Sequence, residues 1–455
     1  MQARPWLLLP VEIKAREFHA KVLQAAVAAE RGFDVVLGEQ NALQRGLAHL
    51  PRGLIIDKSV VRTKVPIFRR AATLGNRLVA WCEEGLVYRD RDTYLEQRVH
   101  RESLEQVDRF FAWGDVQRDD ILRKAPEAAA KIRVTGHPRF DLLRPDLRAV
   151  YDREVDEIRR RFGRYILVAT NFSRYNHFMG EDFGLKVLQR RGTVATDQQV
   201  AFLHHWRDYI GVLYRAFVAV IPVLRRAFPD HAIVVRPHPS EDHERWRREV
   251  AGLANVAVAF EGSAAPWIAG CEVLLHNSCT TGVEAYLLDR PTVAFRPVTD
   301  AVLDSHLPHA LSQQAATEDE LVARVTAALS GDLAAPAGAS TEARRYIAAV
   351  DGRGAAERVI DAVSELDLAR SDYRVGMGAR VAIAVDRVRE AVAPAVRRLR
   401  MGAGYRGYTQ QKFPGVSVDE VAEFVARLAA VSGRFADVAV TPLPVPHCFR
   451  IGSRR

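Results

Sequence analysis

Two stretches of the chain put anion-seeking side chains where an apolar run stops: Arg236-Pro-His-Pro-Ser240 and His276-Asn-Ser-Cys-Thr-Thr-Gly282. The runs before them, Ala232 to Val235 and Val273 to Leu275, are β-type, and a helical pattern follows each. A strand that turns into a helix N-terminus aims backbone N–H groups and the positive end of the helix dipole at one spot. Arg236, His238, Ser278, Thr280 and Thr281 lie on these turns, a set suited to a nucleotide phosphate. The two bends are expected to converge from neighbouring strands. His238 sits between two prolines that restrict its backbone, so its ring can donate to a phosphoryl oxygen of a departing nucleotide. Ser278 is placed to cap the helix after it. Glu284, further along that helix, either holds a ribose hydroxyl or is an ordinary exposed helical glutamate. A third run, Tyr165 to Ala169, ends in Thr170, Asn171 and Ser173, which either cap the next helix or bind phosphate.

Carboxylates stand at other run ends. Trp81-Cys-Glu-Glu-Gly85 closes a strand, and adjacent residues there face opposite sides, so Glu83 and Glu84 do not form a close pair. One of them reaches the site while the other is held by backbone or cations. A carboxylate so placed can deprotonate an acceptor hydroxyl or attack an anomeric carbon; a solvated loop acid is the ordinary alternative. Glu12 and Arg16 stand one helical turn apart and can pair at the surface, or bind acceptor or sugar. Asp57-Lys58-Ser59 holds the equivalent place after the third strand, with the same two readings. In Gly136-His-Pro-Arg-Phe-Asp141, His137 and Arg139 are assigned to shaping the crossover between domains rather than to touching a ligand. No Asp-x-Asp pair ends a strand to hold a metal, and neither a GxxxxGK[ST] loop nor a GxGxxG after the first strand is present. Kinase and dehydrogenase chemistry are disfavoured on that ground, and neither metal nor cofactor is expected.

The elements that must position these residues alternate. Trp6–Leu9, Asp34–Leu37, Leu54–Ile56, Leu78–Trp81, Phe110–Trp113 and Ile132–Val134 read as short buried strands with helical patterns between most of them. A second series runs through Tyr165–Ala169, a helix near Gln198–Phe228, Ala232–Val235, Val256–Val258, Val273–Leu275, Thr292–Phe295 and a helix near Glu318–Leu329. Such alternation predicts an α/β chain of two doubly wound, Rossmann-like parallel-sheet domains, with ligands at a cleft where the carboxyl ends of their strands face each other. The boundaries expected are an N-terminal acceptor-side domain over 1–145, a charged connection over 146–164 and a nucleotide-binding domain over 165–335. A small-residue linker, Ala334 to Ser340, leads to a mostly helical extension over 341–455.

At 455 residues, 48% hydrophobic and 27% charged, the chain can bury two cores. No apolar run approaches the roughly 18–20 residues of a membrane span. The four cysteines are scattered without metal-like spacing, which fits reduced thiols and a cytoplasmic setting. The net charge of +9 is spread widely, with clusters at Arg159-Arg-Arg161 and Arg397-Arg-Leu-Arg400, and no nucleic-acid-binding signature accompanies it. A solvated or membrane-facing basic surface is favoured over nucleic-acid binding.

Pro10-Val-Glu-Ile-Lys-Ala-Arg-Glu-Phe18, Arg31 to Gly38, Pro51 to Ser59, Glu83-Glu-Gly-Leu-Val87, Gly136 to Asp141 and Lys412-Phe-Pro-Gly415 together resemble a bacterial family of surface carbohydrate (polysaccharide) biosynthesis proteins. More distantly, the order acidic-acidic-Gly, His-Pro, Ser/Thr-rich turn resembles GT-B glycosyltransferases that use CMP-activated sugars, of the sialic-acid and Kdo types. The resemblance implies a GT-B fold and metal-independent transfer from a CMP-linked 2-keto acid sugar. It implies a glycan or lipid-linked glycan acceptor, with peripheral contact at the inner face of the membrane. Glu83 matches the first acidic residue, a base or a nucleophile in those enzymes; His238, Ser278, Thr280 and Thr281 match residues on the CMP phosphate. The second glutamate departs from the pattern and leaves open which carboxylate acts. A CDP-glycerol-type glycerophosphotransferase and a non-catalytic nucleotide-sugar-binding scaffold are the alternatives.

Overall fold

The computed structural model describes residues 3–190, 194, 196–371, 373, 380–381, 383–385 and 413–454. The chain divides into two compact units, Met1–Val150 with Arg344–Arg455, and Tyr151–Ala343.

In the first unit, β1 (Arg4–Val11), β2 (Asp34–Glu39), β3 (Leu54–Asp57), β4 (Arg77–Ala80), β5 (Arg109–Ala112) and β6 (Ile132–Val134) form a parallel sheet in the order β2-β1-β3-β4-β5-β6. Continuous apolar runs such as Trp6 to Leu9 suit it, because helices cover both faces of a parallel sheet and both sides of each strand are buried. The helix Lys14–Glu30 is buried nearly all round, and Ala20, Ala25, Ala26, Ala28 and Ala29 let it lie close among its neighbours. The chain goes from β1 to β2 on one side and then crosses to β3 on the other. The crevice outside the carboxyl ends of β1 and β3 is therefore the switch point of this sheet.

The C-terminal segment is helical over Ala355–Ser364 and Val418–Ser432, and it also contributes strands that its sequence did not disclose. β13 (Arg370–Ser371) pairs with β1, β15 (Cys448–Ser453) runs antiparallel beside β2, and β14 (Val438–Pro442) pairs with β15. The segment is built into the first unit through the turn after β6. Gly136 has φ +76° and leaves room for the Ala348 carbonyl, which a Cβ would meet at 2.4 Å. Asp141 accepts the N–H groups of Ala355 and Ala356 at 2.8 and 2.7 Å and so caps the helix that follows. Lys412 and the Arg397–Arg400 cluster lie outside the described residues.

In the second unit, β7 (Tyr165–Ala169), β8 (Ala232–Arg236), β9 (Val256–Val258), β10 (Val273–His276), β11 (Thr292–Phe295) and β12 (Gln313–Ala315) are all parallel, in the order β12-β11-β10-β7-β8-β9. Its switch point lies between β7 and β10. The charged stretch after residue 146 is more than a connection: its helix Asp152–Phe162 belongs to this unit and packs on the helix Ala264–Gly270. The long helix Asp197–Ala227 starts at a reciprocal Thr196–Gln199 capping box. Among the described residues no helix is long and apolar enough to cross a membrane.

Candidate functional site

In the second unit three strand-end turns are joined to one another. Asn171, after β7, and Asn277, after β10, clasp across the switch point: the Asn171 N–H donates to Asn277 Oδ1 at 2.8 Å, and Asn277 Nδ2 donates to the Asn171 carbonyl at 3.2 Å. Ser173 Oγ lies 2.9 Å from His238 Nδ1, which ties the β7 turn to the β8 turn. The Ser240 N–H also donates to Nδ1, at 3.2 Å, so the neutral ring carries its proton on Nε2. The expectation that the Arg236 and Ser278 bends leave neighbouring strands is corrected here. β7 separates β8 from β10, and its own turn, bearing Asn171 and Ser173, completes the set.

Beneath these turns lies Glu241, 1% exposed. Its Oε1 accepts from Thr170 Oγ1 (2.8 Å), the Phe172 N–H (3.0 Å) and the His238 N–H (3.0 Å). Its Oε2 accepts from Trp246 Nε1 at 2.8 Å and from Asn176 Nδ2 at 3.5 Å. Burial pushes this carboxyl up, and the hydrogen bonds pull against that shift.

Ser278 has φ +86°, a left-handed conformation that bulky residues avoid. Its N–H donates to Nδ1 of the fully buried His276 at 3.0 Å, while its own Oγ is buried with no hydrogen-bond partner. Thr280 and Thr281 open the helix Thr280–Leu287, and Glu284 is buried on it at 3% exposure rather than lying on a solvated face. Arg236 stands apart from this set. Its guanidinium donates to the carbonyls of Glu261 (3.0 Å) and Gly262 (2.8 Å) and lies over the rings of Phe260 and Trp267, which fixes the loop after β9.

The first unit gathers charge at the same end of its own sheet. Glu12, after β1, pairs with Lys58, after β3, across the switch point. Arg16 pairs with Glu84, whose side chain is 45% exposed, and with the buried Glu17. Glu17 in turn accepts the Glu12 N–H at 2.9 Å, and burial together with the Glu83 charge raises its carboxyl to about 7. Glu83 turns the other way, inward: Trp81 Nε1 donates to its Oε1 at 2.9 Å, and His137 Nε2 lies 3.4 Å from the same oxygen. The Arg139 N–H donates to His137 Nδ1, so the His137 proton sits on the nitrogen facing Glu83. The ring of His137 stacks on Trp113 at 4.2 Å and meets Trp81 edge-on. Lys21, 1% exposed, lies 4.0 Å above the Trp81 ring. Burial opposes ionisation of Glu83 and lowers His137, but the His137 N–H facing the carboxylate and the Lys21 and Arg16 charges outweigh it and hold the carboxyl well below the usual range.

Sequence reasoning passed over Glu241, Asn277, Trp81, Lys21 and Glu17. Glu241 and Asn277 had a local signal, since each directly follows or sits within a turn already singled out. Lys21 and Glu17 had none: in the sequence they are polar positions of a helix, and only their burial against the strand ends marks them.

No family model and no curated protein matches the sequence. Among solved structures the chain is similar to UDP-GlcNAc 2-epimerase from Methanocaldococcus jannaschii, at 13% identity, over 80% of this chain and 100% of that one, with a TM-score of 0.50. It is also similar to the wall teichoic acid polymerase TagF, in a variant soaked with CDPG, at 11% identity, over 79% of this chain and 88% of that one, again with a TM-score of 0.50. At such identities the likeness is one of fold. The chain has a GT-B-like α/β fold made of two Rossmann-like units with helical C-terminal elements.

Proposed function

We propose that this protein is a glycosyltransferase that moves a 2-keto acid sugar, Kdo or a nonulosonic acid, from a CMP-activated donor to a bacterial surface glycan or lipid-linked glycan. The observation that carries the reading is the joined set of turns on β7, β8 and β10, at the place where open α/β sheets bind nucleotides. His238 Nε2–H, the Ser278 hydroxyl, Thr280 and Thr281 take the donor phosphate, with Asn171 and Ser173 beside them, and Glu284 takes the ribose. Preorganised donors of this kind stabilise the charge that grows on the departing CMP as the sugar–phosphate bond breaks. On the first unit Glu83 is the reacting carboxylate, on the strength of its match to the first acidic residue of the motif, while Glu12, Arg16 and Lys58 receive the acceptor. The motif resemblance supports CMP as the nucleotide; the fold likeness supports a nucleotide-linked substrate in general.

A second reading is favoured by the likeness to TagF: transfer of glycerol phosphate from a CDP-linked donor, in which a phosphoanhydride breaks instead of a glycosidic bond. Incubating the purified chain with CMP-Kdo, CMP-nonulosonic acids, CDP-glycerol and UDP-sugars, and measuring the nucleotide released, decides between them. CMP release from a CMP-sugar, accelerated by a glycan acceptor, is the expected result. Release from CDP-glycerol alone would replace the first reading with the second, and turnover of none would overturn both.

A further inference from the structure

The Phe413-Pro-Gly415 stretch lies at the carboxyl end of the first unit's parallel strands, beside the tip of the β14–β15 hairpin. β15 runs antiparallel to β2 and therefore begins where β2 ends. Cys448 stands opposite Gly38, and the His447 carbonyl accepts the Glu39 N–H at 3.1 Å. The hairpin tip is pinned there. The Leu443 N–H donates to the Cys448 carbonyl at 2.9 Å, and a Cβ at Gly38 would stand 2.5 Å from Cys448 Sγ. Lys14, at the start of the helix Lys14–Glu30, donates to the Gly415 carbonyl at 2.6 Å and to Glu420 at 2.8 Å. These two anchors bring the rings of Phe413 and His447 together, with centroids 6.5 Å apart and planes at 77°.

His447 is exposed and has φ +55°, an uncommon conformation for a residue with a side chain. Backbones keep such angles where their surroundings fix them, and ligand clamps are a common place for it. The exposed ring adds nothing to the core, and Phe413 beside it is only half-buried. Along the sheet β15, β2, β1, β3 and β4 are successive neighbours. The row of strand ends from His447 past Glu12 and Lys58 to Glu84 thus crosses several spacings of about 4.8 Å, roughly 19 Å in all. That is longer than one sugar residue. The fixed charges along it are paired with one another, as Glu12–Lys58, Arg16–Glu84 and Lys14–Glu420, so nothing there calls for a charged sugar.

We infer that Phe413 and His447 form a distal acceptor subsite, which takes a neutral pyranose of an oligosaccharide whose terminal residue lies at Glu12, Arg16 and Lys58. The C–H face of such a ring packs on an aromatic face, and an imidazole nitrogen bonds one of its hydroxyls. The inference rests on the acceptor-side reading of the first unit and adds the length and chemistry of what is bound.

The test uses β-linked oligomers of glucose and of N-acetylglucosamine, two and six units long, added to the full chain. The His447 C2–H resonance is followed by NMR and assigned with His447→Asn, because asparagine tolerates the left-handed backbone. The hexamer is expected to shift that resonance and to bind roughly tenfold more tightly than the dimer in calorimetric titration. In Phe413→Ala the hexamer should fall to the affinity of the dimer, while the dissociation constant for CMP stays within about twofold. Should Phe413→Ala melt early, His447→Asn gives the same affinity reading on an exposed ring. A merely structural role would weaken both lengths alike. An unmoved His447 resonance with both series at millimolar concentration, or equal affinities for the two lengths in the parent, overturns the inference alone. A length-dependent shift in a protein that releases nucleotide from no donor overturns the transferase reading and leaves a glycan-binding surface.

Discussion

The hydroxyl of Ser173 lies 2.9 Å from Nδ1 of His238, so a side chain from the end of β7 sets the proton of a ring at the end of β8. With the Ser240 N–H on the same nitrogen, the neutral ring presents Nε2–H as its donor. His238→Ala is expected to lower turnover by about 10²–10³ with an unchanged melting temperature. Ser173→Ala leaves Ser240 to hold the tautomer and should cost less, on the order of tenfold. Rates of nucleotide release, taken beside thermal melts, check both, and near-normal transfer by His238→Ala would remove the histidine from the site.

Glu241 bears on the same turns from below. Every partner of its carboxylate is a donor, so the site accepts only an ionised, acceptor-only group. Glu241→Gln keeps the shape but points an amide N–H₂ at one of those donors. The expected cost is about 1–3 kcal/mol of stability in urea melts. A loss of CMP affinity of roughly tenfold should accompany it, because the His238 and Thr170–Phe172 backbones shift together. Full affinity at reduced stability would confine Glu241 to folding.

What the sequence made legible follows from the range of the signal. The central strands, such as β1, β3, β7, β8 and β10, are runs of consecutive apolar residues, and a parallel strand covered on both faces leaves that mark in a short window. The turns after β7, β8 and β10 carried their polar residues in one stretch each and were legible too. β12, Gln313–Ala315, is too short and polar to stand out, and β15, on which β14 pairs, finds its place only through β2, more than 400 residues away. Arg236 shows the limit at the site itself: next to His238 it read as a phosphate ligand, but the carbonyls of Glu261 and Gly262 that hold it belong to a loop whose approach no local pattern reveals.

Gly282 offers a test of the Ser278 turn that replaces no polar side chain. A Cβ there would stand 2.6 Å from Nε2 of His276, in a ring that is 0% exposed and hydrogen-bonded at both nitrogens. Gly282→Ala must push that ring, and the ring holds the Ser278 N–H. The expected outcome is a loss of about 1–3 kcal/mol in stability together with weaker CMP binding. Calorimetric titration with CMP beside a thermal melt checks it; a variant that binds and melts like the parent would mean that the ring is free to move.

His276 also makes acid sensitivity predictable. Ser312 Oγ donates to the Pro308 carbonyl at 2.7 Å, so at 2.8 Å it accepts from His276 Nε2–H, and Nδ1 is filled by the Ser278 N–H. The ring is therefore neutral with no place for a second proton, and burial lowers it to about 3 from the ordinary 6.5. His309, whose ring lies 6.4 Å away, is lowered by burial to about 4 and acts in the same sense. As pH falls below 6.5 the unfolded chain takes up protons that the folded one refuses. Stability present above 6.5 is thus lost progressively down to about 3, by at most about 1.4 kcal/mol per pH unit for each ring. The His276 C2–H resonance should not titrate between pH 7 and 4, and His276→Gln should flatten the acid limb of a melting-temperature profile. A ring that titrates near 6.5 in the folded protein would break this account, because a protonated His276 could not accept the Ser278 N–H that holds the turn.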